Sequence, residues 1–217
     1  MADIESWCRT ERIDCLYWLV PAAEWSAVGL AEEHGFCLVD VRVTLAWQSK
    51  DEALASLVTV GSGCSVRLAT TDDVTRLRKI ARVNHRATRF YNDPGFSMER
   101  CDALYDTWIR KSCEEGYADA VFVGEVGGTT IGYLTCHLDP DRYGRIGLVG
   151  LASEARGRGF GRRLVRAAQE WFVAHDRSVV TVASQARNRD AQRFYQRCGF
   201  LTHDTALWFH RWFSYSS

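Results

Sequence analysis

Residues 155–164 read ARGRGFGRRL, with glycine at alternate positions, Gly157, Gly159 and Gly161, just ahead of an amphipathic helix. Glycine costs roughly 1 kcal/mol relative to alanine inside a helix, so the pattern needs an offsetting cause. A helix N-terminus leaves its first N–H groups unpaired and carries the positive end of the helix dipole. Glycines let a ligand approach that backbone without Cβ atoms in the way. Together these features make a seat for an anion, most naturally a phosphate or pyrophosphate, and Arg156 and Arg158 add charge around it. The spacing is GxGxG rather than the dinucleotide GxGxxG, and no Gly-Lys-Ser/Thr ending follows, so neither a Rossmann nor a Walker loop fits.

Hydrophobic periodicity supplies the frame around this loop. Downstream of Gly63, strands are expected at 65–70, 145–152, 178–184 and 200–213. Helices are expected from 71 to about Arg86, over 98–114, after the glycines, and over 188–198. AVFVGEV (120–126) and TIGYLTCHL (130–138), joined at Gly127-Gly128, read as a hairpin. Residues 87–97, with an Asn-Asp-Pro-Gly core, read as a loop. The order is that of an α/β protein, a mixed central sheet with helices on both faces. Upstream of a boundary at Gly61-Ser62-Gly63, a strand (12–21), a helix (22–34) and a strand (36–47) form a small N-terminal unit, 1–62, ahead of the main domain, 63–217. EEHGFCLVDVRVTLAW (32–47) and QRCGFLTHDTALWFHR (196–211) run alike, with Gly35-Phe36 matching Gly199-Phe200 and Asp40 matching Asp204. The N-terminal unit thus reads as a cut-down copy of the C-terminal end.

Acidic and basic residues balance at 27 each, which argues against a general nucleic-acid binder. No apolar run approaches a membrane span, and MADIESWCRT lacks the regions of a signal peptide. The eight cysteines form no CxxC pair, so no metal is expected and reduced thiols packed as small hydrophobes are. These readings point to the cytoplasm.

LVGLASEARGRGFGRRLV (148–165) resembles the acetyl-CoA motif of the GNAT superfamily of N-acetyltransferases, Arg/Gln-x-x-Gly-x-Gly/Ala, with Arg156, Gly157, Arg158, Gly159, Phe160 and Gly161 falling on it. NRDAQRFYQRCGF (188–200) is similar to the family's second motif, an asparagine, a tyrosine seven residues later, then Gly-Phe. Ser153 stands where many members carry proline. The resemblance covers about the last 150 residues and implies a GNAT fold behind a truncated GNAT-like N-terminal α/β unit. It implies acetyl-CoA as co-substrate and direct transfer to an amine. The loop 156–161 would hold the pyrophosphate, backbone groups of Val149 and Leu151 on a splayed strand would pair with the pantetheine arm, and Asn188 would bond it. Tyr195 would be the general acid that protonates the CoA thiolate. His85, His137 and Glu125 are the candidate bases, although ordered water can serve a sugar amine.

Within the superfamily, the short N-terminal unit and the Phe-Tyr loop resemble the bacterial enzymes that acetylate nucleotide-linked (dTDP or UDP) amino-dideoxy sugars. For such an acceptor, the loop 88–97 offers Arg89 to pair a nucleotide diphosphate and Phe90, Tyr91 or Phe96 to stack on base or sugar, and His137 and Asp139 at the end of the strand 130–138 are expected within reach. The partner is then a small molecule, with no nucleic acid and no membrane; a homodimer stays open. Acetylation of a peptide N-terminus or another small amine, modification of an antibiotic, and acetyl-CoA sensing without turnover are the alternatives.

Overall fold

The computed structural model describes residues 2–49 and 63–214, so most of the boundary at Gly61-Ser62-Gly63 lies outside the described residues. The elements are α1 (Ala2–Thr10), β1 (Cys15–Pro21), α2 (Trp25–Glu33), β2 (Cys37–Gln48), β3 (Ser65–Leu68), α3 (Val74–Asn84), α4 (Arg89–Asn92), α5 (Met98–Glu114), β4 (Ala120–Val126), β5 (Thr129–Leu138), β6 (Tyr143–Leu151), α6 (Phe160–Ala174), β7 (Val179–Gln185), α7 (Arg189–Arg197) and β8 (Leu201–Trp212). The strands form one eight-stranded sheet in the order β1-β8-β2-β7-β6-β5-β4-β3. Every ladder is antiparallel except β6–β7. Among the described residues no helix is long and apolar enough to cross a membrane.

Strand alternation sends side chains to two cores. Phe122, Leu134, Ile146, Val182 and Leu45 pack under Leu164, Ala168 and Phe172 of α6 and Tyr195 of α7. Val121, Val123, Ile131 and Tyr133 pack under Leu77 and Ile80 of α3 and Tyr105 and Ile109 of α5. A third cluster seats α2 on β1 and β8 through Ala31, Val20, Phe36 and Phe209. The hairpin forms as its sequence predicts, with Gly127 and Gly128 in the left-handed region at φ 54° and 76°.

Two segments differ from the sequence expectation. Residues 89–92, expected in a loop, form the short helix α4, which Asp93 ends in extended conformation before Pro94; a proline disfavours helical geometry in the residue before it. Helix α1 was not foreseen. Ile4, Trp7 and Cys8 fall at helical spacing, but of these only Cys8 is buried, and Glu5 is held by distant groups, Arg211 (2.6 Å) and His34 (2.7 Å).

β1 and β2, expected in a unit of their own, are strands of the common sheet. β2 runs between β8 and β7. The internal repeat accounts for this. β1, α2 and β2 run Cys15–Pro21, Trp25–Glu33 and Cys37–Gln48; β7, α7 and β8 run Val179–Gln185, Arg189–Arg197 and Leu201–Trp212, a constant offset of 164 residues. The ladders obey the same relation: Cys15↔Trp212 in β1–β8 corresponds to Gln48↔Val179 in β2–β7. The two β-α-β units are therefore related by a pseudo-twofold axis through the Arg42↔Ala206 pair, and each unit inserts its last strand into the other. Gly35 and Gly199 make the matching turns at φ 70° and 87°, and Phe36 and Phe200 are both buried.

This exchange makes the N-terminal unit part of the main core. Phe36→Ala, remote from the β6–β7 region, is expected to cost about 3–5 kcal/mol of global stability in one cooperative urea transition. An unchanged midpoint would show that the unit packs independently.

Candidate active site

β6 and β7 pair only from Tyr143↔Val179 to Ile146↔Val182, although β6 continues to Leu151 and β7 to Gln185. A bulge in β6 starts the parting. Leu134 pairs with Val149 and Cys136 with Ile146, so Gly147 and Leu148 share the space opposite Thr135. Such a bulge bends and twists its strand. Thr135 Oγ1 accepts the freed Leu148 N–H at 2.8 Å. Gly147 is obligatory here, because a Cβ would lie 2.4 Å from His137 Nε2 and 2.7 Å from Thr135 Oγ1.

Beyond the bulge, Asn84 at the end of α3 fastens the strand. Its Oδ1 accepts Leu151 N–H (3.2 Å) and its Nδ2 donates to Leu151 O (3.0 Å). Both backbone groups of Leu151, expected to face the pantetheine, are thus engaged by Asn84, and Val149 is left with no partner on β7. The same Oδ1 accepts from Arg156 Nη2 at 3.1 Å, which ties the glycine loop to the strand.

A cavity of about 240 Å³ passes through the sheet at this parting. On the α7 side it is lined by Ser184, Asn188, Ala191 and Tyr195; on the α3–α5 side by His85, Thr88, Arg89, Phe90, Tyr105 and Trp108. Asn188 is the N-cap of α7, its Oδ1 accepting Ala191 N–H at 3.2 Å, and no described residue holds its NH2 group. Tyr195 is 7% exposed and packs on Phe194 and Phe200. Burial pushes its pKa well above the ordinary tyrosine range, so the phenol keeps its proton at neutral pH. Ser184 is also buried, and its Oγ lacks a hydrogen-bond partner.

No residue of the loop 156–161 lines the cavity; the loop reaches it through Arg156, which donates to the lining residue Asn84. Gly157 and Gly159 sit at φ 73° and 81°, with open space where a Cβ would be. Gly159 is the N-cap of α6 and no side chain caps the helix, so its leading N–H groups face outward. Gly161 has a different cause. A Cβ there would press within 3.2 Å of the Phe194 ring and 3.3 Å of Leu151, so this glycine serves helix packing. Arg158 lies over the Phe160 ring at 5.1 Å.

Of the candidate bases, His85 alone lines the cavity. Its Nε2 shares a hydrogen bond with the Tyr133 hydroxyl (2.9 Å) and its ring stacks on Tyr105 at 4.6 Å. Burial lowers its pKa to about 4. His137 packs against Gly147 from β5 without lining the cavity, and burial lowers its pKa as well. Glu125 is taken by Arg67 at 2.9 Å on the β3–β4 edge. Of the aromatic loop, Arg89 and Phe90 reach the cavity; Tyr91 instead donates to Asp102 Oδ1 at 2.6 Å and joins α4 to α5. Phe96 packs on His210 and Trp212, and Asp139 holds Arg145. Asn84, Thr135 and Ser184 carry no signal in the sequence, because a single small polar residue stands in no repeating pattern and what it faces lies on another element.

One cluster of described residues, Cys15, Asp93 and His210, brings metal-ligating atoms within 4.8 Å of each other. Asp93 already accepts from His210 (2.6 Å), Trp212 and Gly95, and burial pushes the Cys15 thiol up to about 12. These hydrogen bonds tie the end of α4 to β8 through one buried carboxylate.

The sequence profile of the Acetyltransferase (GNAT) family matches residues 85–200, more than half of the chain. The chain belongs to this family. An uncharacterised N-acetyltransferase of Methanocaldococcus jannaschii is 26% identical over 142 residues, 63% of this chain and 60% of that protein, so this GNAT chain spans less than two thirds of that relative's length. The dTDP-fucosamine acetyltransferase of Escherichia coli O6:H1 is 24% identical over 193 residues, 88% of this chain and 79% of that protein. Among solved structures, a tandem GNAT protein from the clavulanic acid biosynthesis pathway superposes with a TM-score of 0.71 at 14% identity, covering 100% of this chain and 69% of that one. This likeness shows the GNAT fold.

The lowered pKa of His85 has a linkage consequence. The unfolded chain binds the imidazole proton below about pH 6.5 and the folded chain only near 4. Stability contributed by neutral His85 is therefore present above pH 6.5 and is lost as pH falls toward 4. His85→Gln is expected to flatten that part of the stability–pH profile, measured by urea denaturation; an unaltered slope would place the imidazole in solvent.

Proposed function

We propose that this chain transfers an acetyl group from acetyl-CoA directly to the amine of a nucleotide-linked (dTDP or UDP) amino-dideoxy sugar. The observation that carries the reading is the cavity through the sheet at the β6–β7 parting, with an uncapped, glycine-led helix N-terminus on one side and Arg89 among aromatic rings on the other. Acetyl-CoA supplies the activated acyl group. The loop 156–161 and the first N–H groups of α6 would hold its pyrophosphate. The free amide of Asn188 and the backbone of Val149 would hold its pantetheine arm.

The chain's own chemistry follows from these positions. Val149 N–H, facing the gap, would donate to the thioester oxygen, a contact worth about 3 kcal/mol in the transition state. The amine nitrogen attacks the carbonyl carbon, the C–N bond forms and the C–S bond breaks. Tyr195, protonated because it is buried, gives its proton to the departing thiolate. His85, with a pKa near 4, is too weak a base to strip an ammonium. The acceptor therefore reacts as the free amine, with the imidazole as a positioning group, and the proton shed by its nitrogen after attack is released into the cavity and made good at the Tyr195 phenolate, so the cycle ends with the phenol protonated and no net proton lost. We read residues 1–62 as the truncated GNAT-like copy, kept because its last strand braces β7. The sugar acceptor is favoured by the dTDP-fucosamine acetyltransferase relative and by Arg89, whose guanidinium pairs with no described carboxylate.

CoA release with dTDP- and UDP-linked amino sugars, peptides and aminoglycosides tests the reading. Turnover on a nucleotide amino sugar is expected; turnover on peptides alone would overturn it. Tyr195→Phe is expected to lower kcat about 10²–10³-fold while the Kd for acetyl-CoA stays within threefold. Gly159→Val, forced into left-handed backbone, is expected to weaken CoA binding about tenfold by calorimetry; unchanged binding would remove the loop from the cofactor site.

A further inference from the structure

Two arginines stand on the α4 side of the sheet, Arg42 on β2 of the N-terminal copy and Arg89 on α4, which belongs to neither copy. Arg89 opens α4 and lines the cavity. Its guanidinium lies 3.9 Å from the Trp208 ring centre and 4.1 Å from that of Phe90, with Tyr17 at 5.5 Å. Trp208 pairs across the ladder with Asp40, and Arg42 follows two residues later on the same face of β2. The β7 partner of Arg42 is Gln185, itself a cavity residue. Helix α4 packs on β2, which brings the two guanidinium groups into electrostatic contact.

Neither guanidinium forms a hydrogen bond or ion pair with a described residue, and the Nε of each is buried without a partner. The rings satisfy the face of the Arg89 cation but none of its N–H donors. Arg42 has not even that. Asp40, on the same face, attracts Arg89 electrostatically but spends its carboxylate on backbone N–H groups, Val41 at 2.9 Å among them, and Asp204, though near Arg42, makes no bond to it. Buried donors are normally paired, and two adjacent unpaired cations repel. Such a pair is stable when an oxyanion of matching charge bridges it through several N–H donors.

We infer that Arg42 and Arg89 together form an anion subsite at the acceptor mouth of the cavity, built to take the diphosphate of the acceptor, with Trp208 and Tyr17 as flanking ring surfaces. The inference rests on the acetyl-transfer reading for the word acceptor, but not for the site. It also gives the N-terminal copy a role in recognition. Arg42 sits at the pseudo-twofold axis, where the C-terminal copy has Ala206, so the subsite exists once and only because β2 is inserted beside β7.

Thymidine diphosphate, titrated by calorimetry into the full-length protein saturated with CoA, reads this subsite with the loop 156–161 already filled. The wild type is expected to bind, and Arg42→Gln and Arg89→Gln each to weaken binding tenfold or more, while the Kd for CoA stays within twofold and certifies the fold. Should Arg42→Gln not fold, Arg42→Lys keeps the charge, loses the fork and is expected to weaken binding at least threefold. No binding by the wild type, or equal binding by either Arg42 variant, overturns the inference. The two readings fail differently. If acetyl transfer is wrong, no acceptor releases CoA while the diphosphate still binds. If the subsite is wrong, a nucleotide sugar turns over with the same KM in Arg42→Gln as in the wild type.

Discussion

The structure depends on a length of ladder that is not made. After Ile146 and Val182, β6 and β7 go separate ways, and a sheet that would otherwise be closed opens into a passage. Opening a sheet exposes backbone groups that must be paired elsewhere. On the β6 side the cost is offset locally: Thr135 takes Leu148 N–H and Asn84 takes both groups of Leu151. Only near Val149 does the gap stay open, and there the buried phenol of Tyr195 and the neutral imidazole of His85 face it from opposite sides of the sheet.

A parting of this kind requires one strand to bend and its neighbour to stay. β7 stays because β2 grips its other edge along its whole length, from Arg42↔Gln185 to Gln48↔Val179. That grip comes from the exchange between the two β-α-β units. Neither unit could form a sheet alone, since β1 does not touch β2 and β7 does not touch β8; each strand finds its neighbour in the other copy. The N-terminal unit is thus a structural brace first, and through Arg42 it also reaches the mouth of the cavity.

Much of this was legible in the residues. Gly157 and Gly159 marked the left-handed turn that opens α6, Gly127-Gly128 marked the hairpin, and the match of Gly35-Phe36 to Gly199-Phe200 marked the repeat. These signals are local or periodic, and backbone sterics make them readable. Several placements around the cavity were not. Tyr91, His137 and Glu125 have the right chemistry near the right elements, yet Tyr91 is tied to Asp102, His137 fills the space over Gly147, and Glu125 answers Arg67. Gly161 looked like its two neighbours and proved to serve the approach of Phe194.

By itself the sequence determined the α/β layering, the family motifs and the presence of a second, shortened copy, because periodicity, turn glycines and helix-terminus chemistry are written within a few residues of one another. Only the tertiary structure decided that the copies exchange strands, that Asn84 holds Leu151, and that the Arg42 and Arg89 guanidinium groups stand without a hydrogen-bonded carboxylate among the described residues. Those facts depend on which side chains meet across more than 40 residues of chain, as Asn84 and Leu151 do. Pairing at that separation is set by packing and register, which no local pattern encodes.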